Sequence, residues 1–167
     1  LAGVIANTGQ SCNAPSRLLV HKSQVDAATE VAKAIMEATQ VGNPEEQGAH
    51  IGPVVNKAQF EKIQGLIQSA LDEGARLVTG GTGRPDGRNA GYFVKPTVLA
   101  DVTPEMRIYR EETFGPVATI TTYDDRDQAV EMANDTEYGL SATISGDPAE
   151  AAKIAGKPMH SYRATFL

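Results

Sequence analysis

Residues 18–40 read LLVHKSQVDAATEVAKAIMEATQ and predict a strand followed directly by an amphipathic helix. The apolar run at 18–20 follows a Pro-Ser turn, which is typical of a strand that begins after a loop. Ser23 is a candidate N-cap for a helix from about residue 24 to residue 40. The apolar positions of this helix recur with the 3.6-residue period at Val25, Ala28, Ala32, Ile35 and Met36.

Helices and strands continue to alternate along the rest of the chain. Asn56 is placed to cap a second helix, with Gln59 three positions later as in a capping box, and Gly74 ends that helix. Asp147 as N-cap and Pro148 at the first helical position predict a late helix. Further predicted elements are the helices 127–134 and 148–155, the strands 76–79, 117–122 and 140–144, the extended segment 92–102 and the glycine-rich loop 80–91. The alternation indicates an α/β fold with a mainly parallel sheet flanked by helices.

The composition limits the class of protein. The chain has 167 residues, 41% of them apolar and 22% charged, with 15 basic and 21 acidic residues and a formal charge of −6. This balance is typical of a soluble globular domain, and an acidic chain without a basic, aromatic-interleaved stripe is not expected to bind nucleic acid. No apolar run approaches the roughly 20 residues of a membrane span, so no membrane association is predicted. The single cysteine and the lack of an export signal predict a cytoplasmic location.

One segment carries a candidate nucleophile. In residues 7–15, NTGQSCNAP, a polar turn follows an apolar helix end, and Pro15 prevents a smooth continuation. Cys12 therefore lies at a helix-to-loop break, where its sulfur is exposed and nearby backbone N–H groups are free to bind a developing oxyanion. The alternative is that this lone cysteine is a small core residue. His21, His50 and His160 share no metal-ligand spacing with Cys12, so no metal site is predicted.

Two further segments hold polar residues beside rigid turns. In residues 110–117, REETFGPV, a carboxylate and an aromatic ring two positions apart precede a Gly-Pro turn, and such a pair suits a polar sugar and a flat ring. The alternative is a charged helix end that leads into a strand. In residues 52–62, GPVVNKAQFEK, the simplest interpretation is a capped helix start with a solvated face. The glycines at 80, 81 and 83 lack the G-x-G-x-x-G spacing and indicate a turn.

Together these segments resemble the catalytic domain of the NAD(P)-dependent aldehyde dehydrogenase superfamily. The resemblance runs from residue 1 to about residue 155 and rests on N-x-G-Q-x-C at 7–12 and E-E-x-F-G-P-V at 111–117, which are highly specific in combination. Other similar segments are V-G-N-P at 41–44, I-G-P at 51–53, G-Y-F at 91–93 and Y-G-L at 138–140. We therefore predict a partial aldehyde dehydrogenase catalytic domain over residues 1–155, incomplete at both ends. A divergent tail over residues 156–167 is predicted to follow, and its last nine residues show no helical or strand period.

The resemblance implies a role for each matched residue. Cys12 falls on the family's nucleophile, and its backbone N–H would supply half of the oxyanion hole. Glu112 falls on the carboxylate that binds the nicotinamide ribose, and Phe114 falls on the aromatic residue beside the nicotinamide. Gln59 and Lys62 fall where some members contact the adenosine ribose. The implied reaction oxidises an aldehyde to a carboxylic acid with NAD or NADP, through a thiohemiacetal and a thioester on Cys12.

The resemblance also implies what lies outside this sequence. In the family, the main cofactor-binding domain, the general-base glutamate and the oxyanion-hole asparagine precede the nucleophile segment, and members are homo-oligomers. We therefore expect the 167-residue chain by itself not to oxidise aldehydes. Two alternatives remain at this stage. One is a non-catalytic remnant that folds or self-associates through unpaired sheet edges. The other is a cofactor-independent cysteine hydrolase, which needs a histidine beside Cys12.

Overall fold

The computed structural model describes residues 2–48 and 50–156, together with the backbone of residues 164–166. The α-helices are α1 (Ala2–Ile5), α2 (Val25–Ala38), α3 (Lys57–Asp72), α4 (Arg107–Arg110), α5 (Arg126–Asn134) and α6 (Pro148–Ala155). The strands are β1 (Arg17–His21), β2 (Gln40–Val41), β3 (His50–Ile51), β4 (Arg76–Thr79), β5 (Thr97–Ala100), β6 (Val117–Tyr123), β7 (Ala142–Ile144) and β8 (Ala164–Phe166). In this part of the chain, no helix is both long and apolar enough to cross a bilayer.

A four-stranded sheet in the order β1-β6-β5-β4 forms the centre of the fold. Strands β1, β6 and β5 run parallel, with Arg17 opposite Thr119 and Thr97 opposite Val117, and β4 joins antiparallel to β5. The predicted α/β fold with a mainly parallel sheet is thus confirmed. Because β1 and β6 are adjacent and parallel, the loops that lead into them lie together at the amino ends of the two strands.

The two faces of the sheet pack against different helices. The first core cluster contains buried residues of α3, β5 and β6, namely Ile63, Leu66, Ile67, Leu99 and Val117. The second contains buried residues of α2, β5 and β6, namely Ala32, Met36, Val98, Ala118 and Ile120. Burial on both faces is typical of parallel strands, and it explains why β5 and the first half of β6 show little polar alternation.

The helix caps agree with the sequence at two of three positions. Asn56 Oδ1 accepts the Gln59 N–H at 2.9 Å, and Asp147 accepts N–H groups at the start of α6, as predicted. Ser23 does not cap α2, so that prediction was wrong. The Ser23 hydroxyl lies 2.7 Å from His21 Nδ1, which also accepts the Ser23 N–H. The α2 helix therefore begins at Val25, after a short 3-10 turn.

Several short elements were missed because they contain too few residues to show a period. Strands β2 and β3 pair in parallel over two residues each, and α4 has only four residues. The backbone of β8 pairs with β7, although its part of the tail shows no strand pattern. Residues 157–163 of the predicted tail lie outside the described residues.

Candidate active site

A left-handed turn begins the loop that carries Cys12. Asn7, Thr8 and Gly9 have φ angles of 50°, 57° and 70°, and the Gln10 N–H donates to Asn7 O at 3.1 Å. This conformation is costly for a β-branched residue, on the order of 1–3 kcal/mol. The buried Thr8 is held in it by its hydroxyl, which donates to Gly52 O at 3.2 Å. Backbone strain that the surroundings maintain makes this loop a candidate functional segment.

The loop presents Cys12 to solvent. The residue is exposed, in a tight turn that the Ala14 N–H closes by donating to Ser11 O at 2.9 Å. Within the described residues, the backbone N–H of Cys12 donates to no protein acceptor, so it is free to bind an oxygen atom of a ligand. The expectation that Cys12 is an exposed residue after a helix end, rather than a core residue, is confirmed.

The Cys12 loop lies directly against the loop that precedes β6. A Cβ atom on Gly9 would overlap the carbonyl group of Gly115 and would lie 2.8 Å from Pro116 N, so only glycine fits there. Gly115 itself packs against Ile63 of α3, where a Cβ atom would overlap the isoleucine side chain. These close approaches bring together the two motifs that are most distinctive in the sequence, N-x-G-Q-x-C and E-E-x-F-G-P-V.

The two adjacent glutamates of the second motif have different surroundings. Glu111 pairs with Arg107 one helical turn earlier, at 2.5 Å, and this hydrogen bond lowers the pKa of the Glu111 carboxyl group. Glu112 is exposed, and no hydrogen bond or ion pair joins its carboxylate to the part of the chain that the structure describes. Glu112 is therefore the carboxylate that remains available to a ligand, and it is the one that the resemblance selects.

Gln59 holds the backbone of the same loop. Its Nε2 atom donates to Thr113 O at 2.8 Å and to Phe114 O at 2.9 Å. Phe114 has a left-handed φ of 51° and a half-buried side chain, and Thr113 is buried. The side chain that the resemblance assigns to the adenosine ribose is thus bonded, in this structure, to the loop that carries Glu112.

A second glutamine connects the Cys12 loop to the start of α3. Gln10 Oε1 accepts the Val55 N–H at 2.8 Å, near the contact between Thr8 and Gly52. We refer to residues 7–12, 52–59 and 111–116 as the loop cluster. Thr8, Gly9 and Gln10 help to assemble this cluster, and none of them was predicted as a site residue. The only sequence signal was their place in the N-x-G-Q-x-C motif.

Lys62 lies at the edge of the loop cluster. Its side chain is exposed on α3, and its charge adds a small lowering of the Glu111 pKa to the main effect of Arg107. The structure therefore brings all five predicted site residues to one end of the sheet, with Cys12, Glu112 and Lys62 exposed and Gln59 and Phe114 half-buried. Exposed groups with unused hydrogen-bonding capacity are suited to bind a polar ligand.

A groove of about 820 Å³ adjoins the left-handed turn. It lies between α1 and residues 44–53, and Asn7, Thr8 and Gln10 line one side of it. Neither Cys12 nor Glu112 lines this groove, so it borders the loop cluster without including the sulfur.

The described histidines do not bond to Cys12. The ring nitrogens of His21 lie 2.7 Å from Ser23 Oγ and 3.0 Å from Asp124 O, and His50 Nε2 lies 2.8 Å from Asn43 O. His160 lies outside the described residues. The cysteine hydrolase interpretation thus finds no histidine base for Cys12 in residues 2–48 and 50–156. In the same residues, no group of three or more His, Cys, Asp or Glu side chains is arranged to hold a metal ion.

Comparison with known proteins assigns the family. A model of the aldehyde dehydrogenase family matches residues 1–160. The chain belongs to the aldehyde dehydrogenase family. One curated relative is a 3-succinoylsemialdehyde-pyridine dehydrogenase from a Pseudomonas species, which is 43% identical over 95% of this chain and 33% of its own length.

Solved aldehyde dehydrogenases have the same fold. The enzyme from Bartonella henselae superposes with a TM-score of 0.93 at 51% identity, covering 99% of this chain and 35% of the longer one. A mutant of aldehyde dehydrogenase C from Pseudomonas syringae, solved with NAD+ and octanal, superposes with a TM-score of 0.93 at 38% identity, with the same coverage. The chain therefore spans about a third of the length of the relatives it matches.

Proposed function

We propose that a polypeptide containing this chain oxidises an aldehyde to a carboxylic acid with NAD+ or NADP+, and that Cys12 is the nucleophile. The observation that carries the proposal is the exposed Cys12 with an unused backbone N–H, on a loop whose Gly9 lies against Gly115. The proposal also includes the division of the chain into a partial catalytic domain, residues 1–155, and a tail, residues 156–167.

Cys12 suits both halves of this reaction. As a thiolate it would add to the aldehyde carbon, and the carbonyl oxygen would become an alkoxide. The backbone N–H of Cys12 is a donor that would stabilise this oxyanion. After oxidation the sulfur would carry a thioester, and a water molecule would hydrolyse it to the carboxylic acid and return the thiol. Sulfur is needed because it attacks well as a thiolate and leaves well from a thioester.

The loop cluster fits a nicotinamide dinucleotide. Glu112 offers a carboxylate without another partner in the described residues, which can accept hydrogen bonds from sugar hydroxyls. Phe114 offers a half-buried aromatic ring two positions further along the chain, and Lys62 offers an exposed cation for a negatively charged group. When bound, NAD(P)+ supplies the acceptor for the hydride that leaves the aldehyde carbon.

The test is aldehyde oxidation by the purified polypeptide that contains this chain, which we call the full-length polypeptide. NADH and NADPH formation is followed by absorbance with a panel of aliphatic and aromatic aldehydes. The Cys12 peptide is then examined by mass spectrometry after the reaction is quenched with acid. We expect aldehyde-dependent reduction of the cofactor and an acyl group on that peptide. Wild-type turnover in a Cys12→Ala variant would reject the covalent mechanism, and no turnover with any aldehyde would reject the activity.

One observation favours a second, non-catalytic candidate. In the described sheet, β1 and β4 are edge strands with a single partner each, and an unpaired edge can recruit another chain. Light scattering and NAD+ titration on the same sample separate the two candidates. Self-association without any NAD+ affinity supports the non-catalytic candidate. Saturable NAD+ binding supports the dehydrogenase.

A further inference from the structure

We infer that Gln59 is a positioning residue, which fixes the backbone of the Glu112–Phe114 loop instead of touching the cofactor itself. This inference rests on the proposed function, because the loop is the part of the chain assigned to the nicotinamide ribose. It changes the role that the family resemblance implied for Gln59 and explains how an exposed carboxylate is held in a defined place.

The hydrogen bonds of Gln59 decide its role. A side-chain amide nitrogen has two N–H donors, and Gln59 Nε2 is within 2.8 Å of Thr113 O and 2.9 Å of Phe114 O. Both donors are therefore in use. The orientation of the amide follows from chemistry, because two carbonyl oxygens require the nitrogen, and not the oxygen, to face them. Only Oε1 remains free to interact with another group.

Gln59 is itself fixed at the other end. Its backbone N–H donates to Asn56 Oδ1 at 2.9 Å, so the residue belongs to the capped first turn of α3. The loop that it holds contains Phe114 in the left-handed region, with a φ of 51°. A large residue keeps such a conformation only when surrounding contacts maintain it. The Asn56 cap thus holds Gln59, and Gln59 holds the carbonyl groups of Thr113 and Phe114. Glu112 is the residue next to this fixed backbone.

The substitution Gln59→Glu distinguishes a positioning role from direct contact with the cofactor. If Gln59 contacted a ribose hydroxyl through Oε1, a carboxylate would accept the same hydrogen bond, and NAD+ affinity would persist. If Gln59 acts through Nε2, the carboxylate has no donor and repels both carbonyl oxygens, so the loop is released. Protonation of the introduced carboxyl group would restore one hydrogen-bond donor, so the loss of NAD+ affinity should be smaller at acidic pH.

The experiment uses the full-length polypeptide and three variants, Gln59→Glu, Gln59→Leu and Gln68→Glu. Gln68 is exposed on α3, and within the described residues its side chain bonds Asp72, so it is a matched control for the added charge. For Gln59→Glu we expect the calorimetric Kd for NAD+ to rise about ten-fold, which corresponds to the loss of two ordinary hydrogen bonds. The KM for NAD+ should rise in parallel, with the KM for the aldehyde unchanged. The ratio of the variant Kd to the wild-type Kd should fall between neutral pH and about pH 5.

Hydrogen–deuterium exchange provides a readout that does not depend on turnover. Peptides covering residues 111–117 should exchange faster in both Gln59 variants than in wild type and in Gln68→Glu, without cofactor present. Unchanged exchange, or wild-type NAD+ affinity in Gln59→Glu, would overturn the inference. The exchange result requires no cofactor, and the affinity result requires only that the wild-type protein binds NAD+. A wild type that binds NAD+ but oxidises no aldehyde rejects the proposed function and leaves the positioning role to be decided by the exchange data.

Discussion

The two ends of the parallel strands β1 and β6 are held by different interactions. At the amino ends, the loop cluster is built from left-handed backbone, a glycine–glycine contact and glutamine side chains that bond backbone groups. At the carboxyl ends, exposed side chains form ion pairs, such as Lys22 with Asp124 at 2.6 Å. A cavity of about 410 Å³ also lies there, lined by His21, Tyr123 and Arg126 among others.

The candidate site does not lie at the end of the strands where the Lys22–Asp124 ion pair and the cavity are found. Ligands of open α/β sheets usually bind beyond the carboxyl ends of the strands. In this chain, the candidate nucleophile and the predicted cofactor residues lie at the amino ends. At the opposite end, the ion-paired side chains of Lys22 and Asp124 are both 64% exposed, and such a pair contributes little to stability. Strained backbone is the better guide to the site here than cavity volume, because three of the four non-glycine residues with a left-handed φ in the described residues lie in the loop cluster.

The largest effect is expected at Cys12. In the full-length polypeptide, Cys12→Ala should lower aldehyde oxidation by at least about 10³-fold, because the covalent route is lost. Its unfolding temperature should not change, since the side chain is exposed. Steady-state kinetics and thermal unfolding measure both. Ser23→Ala, at the carboxyl ends of the strands, should keep wild-type kinetics. A comparable loss of activity in that variant would contradict the assignment of the site to the amino ends.

The next effect is on folding, at Gly9. Gly9→Ala adds a Cβ atom at a φ of 70° that overlaps Gly115, and we expect a loss of about 3 kcal/mol in unfolding free energy. Urea denaturation measures it. The control is Gly65→Ala in α3, where no atom lies within 4 Å of the added group. That helix variant should be more stable than wild type by roughly 0.5–1 kcal/mol. Equal unfolding free energies of the two variants would show that the contact between Gly9 and Gly115 is not tight.

A smaller effect should distinguish the two glutamates of the loop cluster. Glu112→Gln should raise the KM for NAD+ about ten-fold, because a charged acceptor for hydroxyl groups becomes neutral. Glu111→Gln should leave that KM close to the wild-type value, because the Glu111 carboxylate is already paired with Arg107. An equal rise in both variants would indicate a general effect of charge, and the assignment of Glu112 to the ribose would fail.

The smallest effect is expected at the carboxyl ends. A hydrogen bond from Lys22, and then its charge, lowers the pKa of the Asp124 carboxyl group. A lowered carboxyl pKa stabilises the fold above the ordinary pKa and loses that contribution as the pH falls through the folded value. Lys22→Met should therefore return the Asp124 pKa toward its ordinary range, as measured by NMR titration, with no resolvable change in the urea midpoint at neutral pH. A clear loss of stability at neutral pH would show that this end is held more strongly than exposed ion pairs allow.

The sequence predicted the long elements better than the short ones. The α3 helix has an Asn cap, a capping-box glutamine and an apolar stripe, so its start was predicted correctly at Asn56. The error at Ser23 has a local cause, because the His21 ring two residues earlier bonds the serine at the end of β1 and removes it from the helix start. Strands β2 and β3 contain two residues each, and pairing alone defines them.

The sequence by itself determined the α/β class, the family resemblance and the identity of the candidate site residues, because periodicity, caps and two motifs are local properties. Only the tertiary structure decided which neighbour each of these residues meets. It turned the Gln59 amide to the backbone of Thr113 and Phe114, and it set Gly9 against Gly115. These contacts join residues far apart along the chain, and packing of the helices on the sheet brings them within bonding distance.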